Sequence, residues 1–147
     1  MEEHRFQLKA TWEGGLSGTG TLSGKGLKTA ISVPSEMNGP GVGTNPEELL
    51  IGAAMNCYLI TLAAILQRRT LTVKSLTLQS EGLVVVEGGK QSFQQIIHRP
   101  HLLLADADEE QVKQAEQATH RAEQACMITK ALRGNVAVTV EPSIEVV

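Results

Sequence analysis

The feature that most limits what this chain can fold into is a nearly unbroken apolar run from Leu49 to Leu66, 18 positions long. That length touches the lower bound for a membrane-crossing helix. Asn56, Tyr58 and Thr61 lie inside the run, and the rest of the chain reads largely as strands. The expectation is therefore a buried helix, with no membrane partner. Its start is well marked. Asn45 suits the N-cap, Pro46 the first helical position and Glu48 the capping-box position. Glu47 and Glu48 favour the positive end of the helix dipole, and Arg68 and Arg69 the negative end. A helix that is apolar all round needs cover on every side. At 1.5 Å per residue this one is roughly 35 Å long, hard for one small chain to enclose. An intimate homodimer, with two central helices packed together, is expected.

The 147 residues point to a single domain, residues 1–147, large enough to fold without a metal or a disulfide. Apolar residues at 41% and charged residues at 20% fit a globular chain. A net charge of −3 and the lack of a Lys/Arg cluster argue against a nucleic-acid partner. The start, Met1-Glu2-Glu3-His4-Arg5, has neither the basic region nor the apolar run of a signal peptide, so a cytoplasmic protein is expected.

Around the central helix the pattern alternates between strand and helix. Phe6, Leu8, Ala10 and Trp12 fall on alternate positions, the mark of a half-buried strand. Gly18 to Leu22 and Leu27 to Val33 read as strands flanking a Gly24-containing turn, and Ser35 to Gly43 as a glycine-rich loop. Beyond the helix, Leu71 to Ser80 reads as a strand with Leu71, Val73, Leu76 and Leu78 inward. Leu83 to Val86 and Phe93 to Leu104 read as two more, with Glu81-Gly82 and Glu87-Gly88-Gly89 as punctuation. Asp108 to about Leu132 reads as a second helix, with Asp106 and Glu109 at capping-box spacing and a narrow stripe of Val112, Ala115, Ala118, Ala122 and Ala125. Asn135 to Val140 closes the fold. The class is α+β with an antiparallel or mixed sheet.

The chain has two cysteines, Cys57 in the first helix and Cys126 on the inward stripe of the second. Two are too few for a disulfide-built secreted scaffold. Three readings stay open: two small apolar core residues, a redox pair, or a metal site with His98 and His101, which flank Arg99-Pro100 and are expected on an exposed loop or edge. No cysteine has a second ligand at the close spacing structural zinc favours.

The residues around the cysteines carry a resemblance. Thr44-Asn45-Pro46-Glu47-Glu48-Leu49-Leu50, followed ten residues after Glu47 by Cys57, resembles the OsmC/Ohr family of osmotically induced and organic-hydroperoxide-resistance proteins. Ala125-Cys126-Met127-Ile128-Thr129-Lys130-Ala131-Leu132-Arg133-Gly134-Asn135-Val136 is similar to that family's second cysteine motif. Ala10-Thr11-Trp12 and Val33-Pro34-Ser35-Glu36-Met37 extend the likeness over nearly the whole chain.

The resemblance implies sheets wrapped around the long central helices of an intertwined homodimer. It implies a thiol peroxidase without metal or flavin, acting on organic peroxides alone or also on hydrogen peroxide, with a dithiol as reductant; lipoyl groups serve one branch. Cys57 would be the peroxidatic nucleophile, Cys126 the resolving thiol and Glu47 the acidic residue that organises the site. A redox sensor or ligand-binding protein with little turnover is the alternative. One departure bears on activation. Where the hydroperoxide-resistance branch reads Gly-Gly-Arg, this chain has Gly14-Gly15-Leu16, and no arginine lies between Arg5 and Arg68. Activation of the Cys57 thiolate would then come from Lys25, Lys28 or an arginine elsewhere, or not at all. Glu47 lies about 15 Å along the helix from Cys57 and could reach that thiol only from a partner helix or a folded-back loop.

Overall fold

The structure, a computed structural model, describes residues 1–147. It divides into two compact units, Met1–Leu50 and Ile51–Val147. In the first unit, β1 (Leu8–Glu13), β2 (Thr19–Gly24) and β3 (Lys28–Ile31) form an antiparallel sheet in chain order. A short 3-10 turn, Ser35–Met37, follows, and the chain returns to pair Thr44 beside Ile31. The alternation in β1 marks a strand as expected, but its apolar face is not covered. All six residues of β1 are exposed, and Phe6 just before it is 89% exposed. Period-two patterning shows which face is fit for burial; it does not say that the same chain supplies the cover.

Helix α1 runs over Pro46–Arg68. The Asn45 side chain accepts the Glu48 backbone N–H at 2.8 Å, while the Glu48 carboxylate turns to the Thr44 hydroxyl, also at 2.8 Å. By length and composition this helix could cross a membrane, with a mean hydropathy of 2.1 over its most apolar window. It is not buried on every side. Ala54, Tyr58, Leu62, Ile65 and Leu66 are buried, one stripe at three- and four-residue spacing. Gly52, Ala53, Asn56, Ile60, Ala63 and Gln67 on another face are exposed. One chain covers only one side.

The second sheet explains what the stripe packs on. β4 (Val73–Glu87) and β5 (Lys90–Leu104) form a long antiparallel hairpin, and β6 (Ala137–Val140) and β7 (Ser143–Val146) both pair in parallel with β5. The sheet is thus mixed. Two expected strands are one: β4 runs straight through Glu81-Gly82. Gly82 is there for space rather than for a turn, since a Cβ at that position would lie 2.5 Å from Ile51 Cδ1 and 2.8 Å from Phe93 Cζ. The turn proper is Gly88-Gly89, with φ of 58° and 77°, joining Glu87 and Lys90. Positive φ at both central residues is what a tight hairpin turn demands. Leu71, Val73, Leu76 and Leu78 do pack on the core. Val73 and Leu76 share a face despite odd spacing because the register shifts between Val73 and Ser75.

Helix α2 (Glu109–Ala125) is capped two residues later than the sequence suggested. Asp108 accepts the Gln111 N–H at 2.8 Å, and the Gln111 side chain accepts the Asp108 N–H at 2.9 Å. Asp106 instead adopts a φ of 51°, outside helical geometry. Its buried stripe is Ala115, Ala118, Thr119 and Ala122; Ala125 is exposed. Together α1, α2 and the sheet enclose a core of Tyr58, Leu62, Ile65, Leu66, Leu102, Leu104, Ala115, Ala118 and Ala122. The Tyr58 hydroxyl ties α1 to α2 by donating to the Thr119 carbonyl at 2.8 Å.

Candidate active site

The expected second helix is broken at one residue. Cys126 has an extended backbone, φ −64° and ψ 123°, ends α2 and caps the short helix α3 (Met127–Leu132). No glycine or proline marks the break. It has a chemical consequence. The first backbone N–H groups of any helix lack intrahelical partners, and here those of Met127 and Ile128 turn toward the Cys57 sulfur. Cys126 is fully buried and Cys57 half-buried, and both are free thiols.

The two thiols, 69 residues apart in sequence, meet. Burial pushes the Cys57 thiol up, as it disfavours any buried charge. The Cys126 thiol, the N–H groups of Ile128 and Met127, and the Thr61 hydroxyl all act as donors to its sulfur, and together they hold it below the ordinary range. Cys126 is moved the other way. Burial pushes it up, and hydrogen bonding with Cys57 and the charge of the Cys57 thiolate add to that. The Thr129 hydroxyl and N–H oppose the shift without cancelling it. The pair is therefore polarised, with one sulfur prepared to ionise and the other holding its proton. None of the donors at Cys57 is a lysine or an arginine. The groups favouring its ionisation are neutral: the Cys126 thiol, the Thr61 hydroxyl on α1 and two amides of α3.

Thr61 and Thr129 were not singled out by sequence reasoning. Spacing could have found both. Thr61 follows Cys57 by four residues and so shares its helix face. Thr129 follows Cys126 by three, the N-cap to N3 spacing. The Met127 and Ile128 amides had no sequence signal, because they depend on the break at Cys126.

Glu47 lies in the first turn of α1, ten residues before Cys57, and is not among the groups acting on its sulfur. Its Oε2 oxygen is buried and accepts no hydrogen bond. The histidines are not loop residues. His98 and His101 both lie in β5, and His98 is fully buried. Its ring stacks on Tyr58 with centroids 4.7 Å apart, and Nδ1 pairs with the Ser80 hydroxyl at 2.6 Å. Burial pushes His98 down to about 4, so it is neutral near pH 7. Ile96, His98, Pro100, Leu102 and Leu104 are buried on alternate positions of β5, so His98 shares the face of that strand that meets the core. His101 Nδ1 instead pairs with the Ser143 hydroxyl at 3.2 Å. No three His, Cys, Asp or Glu side chains are grouped to hold a metal ion, so the four-residue set of Cys57, Cys126, His98 and His101 is not assembled.

A family model described as OsmC-like protein matches residues 39–141. The chain is 45% identical over 146 residues to the uncharacterized protein YmaD of Bacillus subtilis, covering 99% of this chain and 97% of that one. It is 27% identical over 141 residues to an organic hydroperoxide resistance protein of Xanthomonas axonopodis pv. citri, covering 94% of each. A solved OsmC-like protein of unknown function from Vibrio cholerae superposes with a TM-score of 0.77 at 19% identity, covering 95% of this chain and all of the other. At that identity the likeness speaks to the fold alone, and the α+β arrangement of antiparallel and mixed sheets is the same.

Proposed function

The chain belongs to the OsmC-like protein family, and from that premise we propose that it is a thiol-dependent peroxidase acting on organic hydroperoxides. The observation that carries the reading is the polarised pair, Cys57 held low and Cys126 held high across one shared contact. The named organic hydroperoxide resistance protein among its relatives supports the substrate class.

In the first step the Cys57 thiolate attacks the terminal oxygen of the hydroperoxide. The O–O bond breaks, the departing alkoxide takes a proton to become an alcohol, and Cys57 is left as a sulfenic acid. Oxidation removes the negative charge at Cys57, which is one of the causes holding the proton on Cys126. Cys126 is thereby freed to ionise at the moment its thiolate is needed. It attacks the Cys57 sulfur, the S–O bond breaks, and hydroxide leaves as water with the proton Cys126 has given up. An external dithiol then reduces the disulfide by exchange. Cys57 is the nucleophile and Cys126 the resolving thiol. Glu47, with its unpartnered buried oxygen, would accept a donor from a second copy or from substrate.

The working unit in this reading is a homodimer. The exposed face of α1 combines the small residues Gly52, Ala53 and Ala63 with Ile60, 67% exposed, a surface suited to close helix packing. Two cysteines that work as thiols suit the reducing cytoplasm. A sensor or binder with slow turnover is the second reading. The observation that favours it is Leu16, which stands where the hydroperoxide-resistance branch carries an arginine.

Intact mass after titration with cumene or tert-butyl hydroperoxide tests the proposal. Wild-type protein should lose two thiols and gain an intramolecular disulfide. No change in thiol content on treatment would rule the peroxidase out and leave the binder.

A further inference from the structure

Thr129 is 2% exposed, and its hydroxyl is buried without a completed hydrogen bond. A buried hydroxyl donor left unpaired is costly. The group it acts on is the Cys126 sulfur, three residues earlier at the N-cap of the same short helix. A protonated thiol is a weak acceptor, whereas a thiolate is a strong, charge-assisted one. The donor is thus orphaned in the reduced state and satisfied when Cys126 loses its proton. Thr129 is held at this spot by the chain break, because Cys126 caps α3 and Thr129 is the third residue of that helix.

We propose that Thr129 is a positioning residue of the resolving step, its hydroxyl completing a hydrogen bond to the Cys126 sulfur as that sulfur ionises. Thr129 acts through Cys126 and touches neither peroxide nor Cys57. Removing the hydroxyl lowers the thiolate fraction of Cys126 at neutral pH, yet makes each thiolate a somewhat better nucleophile. The kinetic form of the inference rests on the peroxidase reading; the ionisation form does not.

The experiment has two arms using Thr129→Val, which keeps the shape, and Thr129→Ser, which keeps the hydroxyl. In the first arm, both are placed in the Cys57→Ser chain and the Cys126 thiolate is titrated by its ultraviolet absorbance near 240 nm. Thr129→Val should raise the midpoint by about one pH unit, and Thr129→Ser should leave it in place. An unmoved midpoint in Thr129→Val overturns the proposal. In the second arm, the full chain is oxidised with one equivalent of cumene hydroperoxide, and disulfide closure is followed by rapid quench and mass across pH. Closure in Thr129→Val should be about threefold slower at pH 7 for a one-unit shift, given the partial compensation by nucleophilicity. The deficit should shrink as pH rises, while dimedone traps more Cys57 sulfenic acid. Equal slowing at every pH, or a Thr129→Ser chain as slow as Thr129→Val, reduces Thr129 to packing and overturns the proposal. If the hydroperoxide leaves wild-type thiols intact, the peroxidase reading fails, and the titration alone decides Thr129.

Discussion

Cys57 and Cys126 share a contact but not an environment. Cys57 sits in the interior of a regular 23-residue helix, where its own backbone amide is already spent, and it relies on donors brought from elsewhere. Cys126 sits at a helix break, fully buried, on the residue that makes those amides available. The regular element presents the nucleophile, and the irregular one supplies the means of ionising it. Two identical side chains are moved in opposite directions because burial acts on both while the donor sets are unequal. The lesson is that a cysteine's reactivity is set by unsatisfied backbone nearby as much as by charge.

The strongest way to break this comparison is to remove one sulfur at a time. Cys57→Ser should abolish hydroperoxide consumption, measured by a peroxide assay at pH 7. Cys126→Ser should still form a dimedone-reactive sulfenic acid but no intramolecular disulfide, so turnover stops after one oxidation. If the serine variants at the two positions behave alike, the asymmetry between the thiols is not the working feature.

A second test takes away the donor and not the chemistry. Cys126→Ala removes a hydrogen bond that lowers Cys57, so the pH midpoint for alkylation of Cys57 by iodoacetamide should move up. The amides of Ile128 and Met127 and the Thr61 hydroxyl remain, so the shift should be partial, on the order of one unit or less. A midpoint that does not move would assign the low thiol to the amides and the Thr61 hydroxyl without Cys126.

Further tests concern the core behind the pair. His98 is neutral in the folded chain and pushed down to about 4, against an ordinary value of 6.5. The unfolded chain takes up its proton near 6.5, whereas the folded one resists until near 4. This contribution to stability is complete above pH 6.5 and is lost as pH falls from 6.5 toward 4. Between pH 7 and pH 5 the loss from this group should reach about 2 kcal/mol, read from urea midpoints. His98→Phe, which retains a ring to stack on Tyr58, should flatten that slope. The smallest effect is expected from Tyr58→Phe, which removes only the bond to the Thr119 carbonyl. About 1 kcal/mol of stability should be lost. A much larger loss, with a changed Cys57 midpoint, would mean that this tie holds α2 and its terminal cysteine in register with α1.

The central helix was legible because its signals are local: Asn45 caps it, Pro46 opens it and the apolar run carries it to Arg68. The inward placement of Cys126 was legible too, since it lies close to four helical turns beyond Val112 on the expected stripe, and it is fully buried. Gly82 misled because a glycine gives the same local signal in a turn as in a strand that needs room. What distinguishes them is Ile51 and Phe93, neither adjacent in sequence. His98 misled because its neighbours Arg99 and Pro100 suggest a surface segment, while its partners Ser80 and Tyr58 come from other elements.

The sequence by itself determined the central helix, the strand-rich regions around it, the α+β class, the family and the two cysteines as the residues to watch. Those are matters of local propensity, periodicity and motif, which travel along the chain. Only the tertiary structure decided that the two thiols meet, that helix α2 stops at Cys126, and that the Cys126 thiol, two amides of α3 and the Thr61 hydroxyl act on Cys57. Each depends on contacts between residues far apart in sequence, and the packing that brings them together has no local signature.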